Sequence, residues 1–258
     1  MFVSLLLLLS QWQQAVSYDI EAELNTEEHR LIAIEYLTYF NNSPFALETL
    51  YCHLYANAFR DEETVFARES KKMGFTGLSK TDFSERGYID IKDVHRGEVP
   101  LDFDIKGTLL IIPLDDPMKS GDSACFRIAF DLKIPKHISR LGYQGDHYEM
   151  VQWYPKVCVF DDDGWHLDTY HAIGEFYGEY GSFDVVINIP GDYVVAATGE
   201  RLDPEDIIFM DSLITAKRII KTGGRRAVRF HADICAITAW VGDPDYSVER
   251  LNVGDTNI

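Results

Sequence analysis

Polar and apolar positions alternate over long stretches of this chain. From Asp122 to Pro135, Ala124, Phe126, Ile128, Phe130, Leu132 and Ile134 fall on one side. Ser123, Arg127, Asp131 and Lys133 fall on the other. A period of two places one side of a strand on a core and the other toward water. Ser182 to Pro190 repeats the pattern, with Phe183, Val185, Ile187 and Ile189 inward. Pro190, Gly191 and Asp192 then supply a turn, and a new strand starts at Tyr193, so the pair reads as a hairpin. Residues 29–40 are apolar on both sides, from Leu31 to Phe40, which predicts a central strand ended by Asn41-Asn42-Ser43-Pro44. Further strands are predicted over 18–24, 48–55, 87–94, 106–113, 150–160, 213–221, 226–231 and 236–241. One helix is predicted, from about Asp61 to Met73. Asp61, Glu62 and Glu63 lead it, Lys71 and Lys72 close it, and Gly74 stops it. Many strands at short spacing predict an all-β fold of sandwiched antiparallel sheets with one short helix.

The two ends depart from this pattern. An apolar run, Leu5 to Leu9, is followed by the small residues Ala15 and Ser17. That order fits an export leader with its cleavage site. It predicts a signal peptide over 1–17, a mature chain from Tyr18, and a secreted or periplasmic protein. No Lys or Arg precedes the run, and a core strand is the other reading. The run is too short to cross a bilayer, and no other segment reaches that length. Residues 247–258 show no closing structure and read as the truncated start of a following segment.

The remaining 18–246 suffice for one large β domain with a sizeable core. The formal net charge of −18 opposes nucleic acid and anionic membranes as partners. Cys52, Cys125, Cys158 and Cys235 form no C-x-x-C pair, which argues against a zinc ribbon or a thioredoxin-type site. One or two disulfides and buried free thiols are both compatible with their positions.

Local catalytic motifs are missing. There is no H-E-x-x-H, no G-x-S-x-G, no phosphate loop and no G-x-G-x-x-G after a strand. The densest polar cluster lies in residues 153–181, with Asp161, Asp162, Asp163, His166, Asp168, His171, Glu175 and Glu179. His166 and His171 are five apart, which makes a chelating pair neither on a strand nor on a helix. Asp161-Asp162-Asp163-Gly164 has turn chemistry and not the spacing of a calcium loop. Glu175 and Glu179 would serve as a glycosidase acid–base pair only if both lined one cleft. Trp153, Tyr154, Trp165, Tyr170, Phe176, Tyr177 and Tyr180 interleave with these polar residues, either as core or as stacking faces for a sugar or peptide.

The same stretch carries a resemblance. QWYPKVCVFDDDGWH, GEFYGEYGSFDVVINIPGDYVVAATGE, the opening YDIEAELNTEEHRLIAIEYLTYFNNSPFALETLYCHLYANAF and the closing VRFHADICAITAWVGDPDY are similar, in this order, to the N-terminal domain of the bacterial branch of the aminopeptidase N family of zinc metallopeptidases. The resemblance covers residues 18–246. It implies a saddle-like β-sandwich packed on a catalytic domain that carries zinc, H-E-x-x-H and G-x-M-E-N, none of which is in this chain. It also implies that this chain holds no cofactor and that its partners are its own catalytic domain and a peptide substrate at the cleft edge. Gln152 matches the family's substrate-binding Gln of a Gln-x-Glu-like segment. Tyr154 stands where the Glu often stands. The rival reading is a stand-alone secreted β-sandwich module that binds peptide or glycan.

Overall fold

The computed structural model describes residues 12–136, 139–216 and 223–250, together with the backbone of 252, 253, 256 and 257. The apolar run Leu5 to Leu9 lies outside the described residues. The fold is all-β. Its main feature is an eight-stranded sheet with the strand order Glu200–Arg201, Arg225–Cys235, Gly181–Pro190, Ala15–Asn25, Arg30–Phe40, Ser123–Lys133, Tyr88–Arg96 and Val99–Pro100. One four-stranded sheet runs Lys156–Val157, Leu47–His53, Leu109–Met118 and Asp104–Lys106. Another runs Val194–Ala197, Ala239–Asp243, His147–Val151 and Leu141–Gln144. One buried apolar cluster draws on all three.

The alternating segments behave as their period demands. Phe126, Ile128, Phe130, Leu132 and Ile134 are buried, as are Phe183, Val185, Ile187 and Ile189. Each such side chain removed from water contributes about 1.5–3 kcal/mol. Arg30–Phe40 is central, flanked by Ala15–Asn25 and Ser123–Lys133. Its inward side holds Leu31, Ala33, Glu35, Leu37 and Tyr39, and its outward side exposes Ile32, Tyr36 and Phe40. The apolar residues on both sides are therefore not both buried, and the buried side includes a carboxyl.

Four expectations are corrected. Gly181–Pro190 and Val194–Ala197 do not form a hairpin. Tyr193 N donates to Pro190 O, but the chain then crosses to the other sheet, where Val194–Ala197 pairs with Ala239–Asp243. Gly181–Pro190 pairs instead with Arg225–Cys235 and, in parallel, with Ala15–Asn25, so the large sheet is not purely antiparallel. The strand expected over 150–160 is broken into His147–Val151, Lys156–Val157 and Phe160–Asp161.

The strand expected over 213–221 is displaced by a helix, Pro204–Ala216, while residues 217–222 lie outside the described residues. Its start follows capping rules: the Asp203 carboxylate accepts from the amides of Glu205 and Asp206 at 2.9 and 3.2 Å, and Pro204 needs no N–H in the first turn. Asp206 is buried between Arg201 and Arg226, and the Arg226 guanidinium lies 4.3 Å from the Phe209 ring centroid. The helix expected near 61–73 forms over Val65–Lys72, capped by Thr64, whose hydroxyl accepts from Ala67 N at 3.2 Å. A short third helix spans Gly77–Lys80.

The first strand begins upstream of Tyr18. Ala15, Val16 and Ser17 pair with Phe40, Tyr39 and Thr38, and Val16 is buried. Gln14 is buried too and accepts from Asn42 N at 2.7 Å, and the Trp12 ring packs 5.6 Å from that of Phe160.

Candidate functional site

The strand His147–Val151 pairs with Ala239–Asp243 and ends at Gln152. There the backbone leaves the sheet with φ of 59°, a left-handed conformation that costs a non-glycine residue about 1–2 kcal/mol. The Gln152 side chain is buried, and its Oε1 has no hydrogen-bond partner among the described residues. The two neighbouring indoles behave alike. Trp153 and Trp240 are fully buried in an edge-on contact at 6.5 Å, and the Nε1 of each lacks a partner among the described residues. A buried amide or indole without a partner costs about 1–3 kcal/mol. Strain and unmet hydrogen-bonding capacity thus converge at one strand end. Tyr154, two residues on, turns inward and packs edge-on against Tyr18 at 5.4 Å, so its ring serves the core.

Beyond this point the chain runs through a pair of buried ionisable groups that the sequence did not single out. Lys156 and His53 are register partners on adjacent strands, both almost wholly buried. Burial, with the Lys156 charge second, pushes the His53 imidazole down to about 3, and burial lowers Lys156 to about 8. His53 stacks on Tyr55 at 4.5 Å.

The polar cluster then disperses. Phe160–Asp161 and Gly164–Trp165 form a small hairpin whose turn is Asp161 to Gly164, with Gly164 at a φ of 96°. His166 Nε2 meets Asp161 Oδ2 at 2.8 Å, whereas His171 Nδ1 meets Glu69 Oε1 of the helix Val65–Lys72 at 2.9 Å. Glu175 is exposed, lines a cavity of about 140 Å³ with His53 and His171, and lies 3.8 Å from Arg140. Glu179 is buried and lines a different cleft of about 530 Å³. The two glutamates therefore do not share a cleft as a glycosidase pair requires. Among the described residues, no three His, Cys, Asp or Glu side chains are grouped to hold a metal ion. A zinc centre does not fit the described residues of this chain. The four cysteines are unbridged: Cys52 and Cys158 are buried, Cys125 is exposed and Cys235 is half-buried. No helix among the described residues is long and apolar enough to cross a membrane.

No protein-family profile and no curated protein matches the sequence. Solved structures do. An M1 zinc metallopeptidase from Deinococcus radiodurans is 11% identical with a TM-score of 0.51, over 96% of this chain and 47% of that one. A mutant of an M1 zinc metallopeptidase from the same organism, bound to a Tyr-Ser-Ala substrate, is 11% identical with a TM-score of 0.50, over 95% of this chain and 46% of that one. At such identity the likeness is one of fold, and the chain spans about half the length of the structures it matches. In fold, this chain resembles the N-terminal domain of the M1 zinc metallopeptidases, the aminopeptidase N family.

Proposed function

We propose that this chain is the non-catalytic N-terminal domain of an exported, aminopeptidase-like zinc metallopeptidase, and that it supplies one edge of the substrate cleft through Gln152. The observation that carries this reading is the shared fold over nearly the whole chain with about half of an M1 metallopeptidase. The strained backbone and unpartnered amide oxygen at Gln152 support its part in binding. A carboxamide carries both a donor and an acceptor, and this one lies just beneath the surface at a strand end. In the complete enzyme the metal, held by the other domain, would polarise the scissile carbonyl and activate water. This domain's share is to hold the peptide. Gln152 binds substrate and transition state alike, so its loss acts on KM more than on kcat.

The test is co-expression of the chain with the polypeptide encoded downstream of Ile258, followed by zinc analysis and hydrolysis of aminoacyl-nitroanilides. The chain alone is expected to bind no zinc and to cleave nothing. The complex is expected to contain an H-E-x-x-H subunit and to cleave, with KM raised severalfold by Gln152→Ala. A locus without that motif, or a Gln152→Ala complex with unchanged kcat/KM, would overturn the proposal and favour a stand-alone secreted module.

A further inference from the structure

Away from Gln152, the N-terminal segment, the 160–165 hairpin and the segment 177–180 enclose the cleft of about 530 Å³. Its walls are the rings of Trp12, Phe160, Tyr177 and Tyr180, and its charged groups are Asp161, Asp162 and Glu179. Among the described residues, no Lys, Arg or His lines it. The rings are available: Tyr177 and Tyr180 are 53% and 56% exposed, although each has a broad apolar face. Glu179, by contrast, is only 4% exposed. Among the described residues its side-chain partner is Gln13, at a long 3.4 Å, and the main-chain amide of Phe160 also donates to it. Nearby, the fully buried Tyr39 hydroxyl has no hydrogen-bond partner among the described residues and lies close enough to feel the Glu179 charge.

We propose that this cleft binds the guanidinium group of an arginine side chain carried by a peptide, with Glu179 as counter-ion and the Trp12, Tyr177 and Tyr180 rings as stacking faces, while Asp161 stays bound to His166. A planar, weakly hydrated cation gains from aromatic faces and from carboxylates together, and its fork matches a carboxylate. A neutral sugar would use the rings but leave the buried carboxylate uncompensated. The protein's net charge of −18 raises the local concentration of cations.

The cleft also has a proton signature. Desolvation raises the Glu179 carboxyl to about 7, with Asp161 adding to the rise while Gln13, Phe160 N and His166 oppose it. The other charged groups at hand are Asp162, on the cleft wall, and Lys156, whose ammonium end lies against Gly178. An incoming cation favours the ionised carboxyl, so binding releases a proton below about pH 7. The affinity therefore rises about tenfold from pH 6 to pH 8.

Calorimetric titration of the full chain, Trp12 included, with N-acetyl-arginine amide tests this, with the neutral isostere N-acetyl-citrulline amide as control. Arginine is expected to bind at least tenfold more tightly than citrulline and to show the pH rise. Glu179→Gln, which keeps the size and hydrogen-bonding capacity, is expected to lose at least tenfold and to flatten the pH profile. Tyr180→Ala removes an exposed ring without touching the core and is expected to lose severalfold, with an unchanged circular dichroism spectrum. Equal binding of citrulline, no binding of arginine, or a wild-type affinity and pH profile in either folded variant would overturn the proposal.

Discussion

Replacing Glu35 by leucine is expected to stabilise the protein, and to do so more strongly as pH rises. Glu35 lies midway along the central strand, paired with Ile20 on one side and Ile128 on the other. It is fully buried, and neither carboxyl oxygen has a hydrogen-bond partner among the described residues. Burial alone holds its pKa well above the ordinary 4.5. The folded protein therefore keeps the proton in a range where the unfolded chain has released it. Below the unfolded pKa both states are protonated and ionisation costs nothing. Above it, the unfolded state gains about 1.4 kcal/mol per pH unit, until the folded carboxyl itself ionises. Leucine removes that slope. It also removes an unsatisfied polar group, which contributes a further 1–3 kcal/mol or so at every pH.

Urea unfolding under reducing conditions at pH 5.5 and 6.5 measures both parts. The gap between Glu35→Leu and wild type should widen from the lower pH to the higher, by at most about 1.4 kcal/mol per pH unit, because all other carboxylates are common to both proteins. Glu35→Gln should remove the slope while keeping the buried polar group. Parallel pH dependences in wild type and Glu35→Leu would refute the reasoning.

Lys156 gives the opposite sign. Its folded pKa, lowered to about 8 from 10.5, makes stability rise as pH climbs from 8 toward 10.5. Lys156→Met should gain on the order of 3 kcal/mol at pH 7, and the gain should vanish above the unfolded pKa, as read by urea midpoints. Gly181→Ala should lower the melting temperature sharply. A β-carbon there would press on Val16 O, so the parallel pairing of Ala15–Asn25 with Gly181–Pro190 would have to open. Any export leader is expected to be cut before Trp12, because residues 12–17 are built into the fold. N-terminal sequencing of the mature protein checks this, and a start at Tyr18 would contradict it. A chain truncated to begin at Tyr18 should lose about 2 kcal/mol or more through Val16 alone.

What could be read in advance followed from locality. A strand with one wet face must alternate, so Phe126 to Ile134 and Phe183 to Ile189 declare their buried sides without knowledge of any partner. No helix was predicted over Pro204–Ala216, although Asp203-Pro204-Glu205-Asp206 supplies a cap, a first-turn proline and two first-turn acids. The β-branched residues toward its end pointed the other way. Gln152 could be named from its place in a familiar order of motifs. Its positive φ and unpartnered oxygen, beside the contact of Trp153 with Trp240, are announced by no residue type.

The sequence by itself determined the class of the fold, most of its strands and the absence of a local catalytic motif, because each rests on residues adjacent in the chain. Only the tertiary structure decided which strands pair. Val194–Ala197 left its neighbour for Ala239–Asp243, and Gly181–Pro190 found Ala15–Asn25 across the length of the chain. It also decided which side of Arg30–Phe40 was buried. Both sides are apolar enough to be a core, but Leu31, Ala33, Leu37 and Tyr39 share a side with Glu35, and in a period of two they carried the carboxyl in with them. The same holds for Glu179: an acid among aromatics is unremarkable in sequence. Its burial, its raised pKa and its cleft arise only where Trp12, Phe160 and Tyr180 come together from three separate segments.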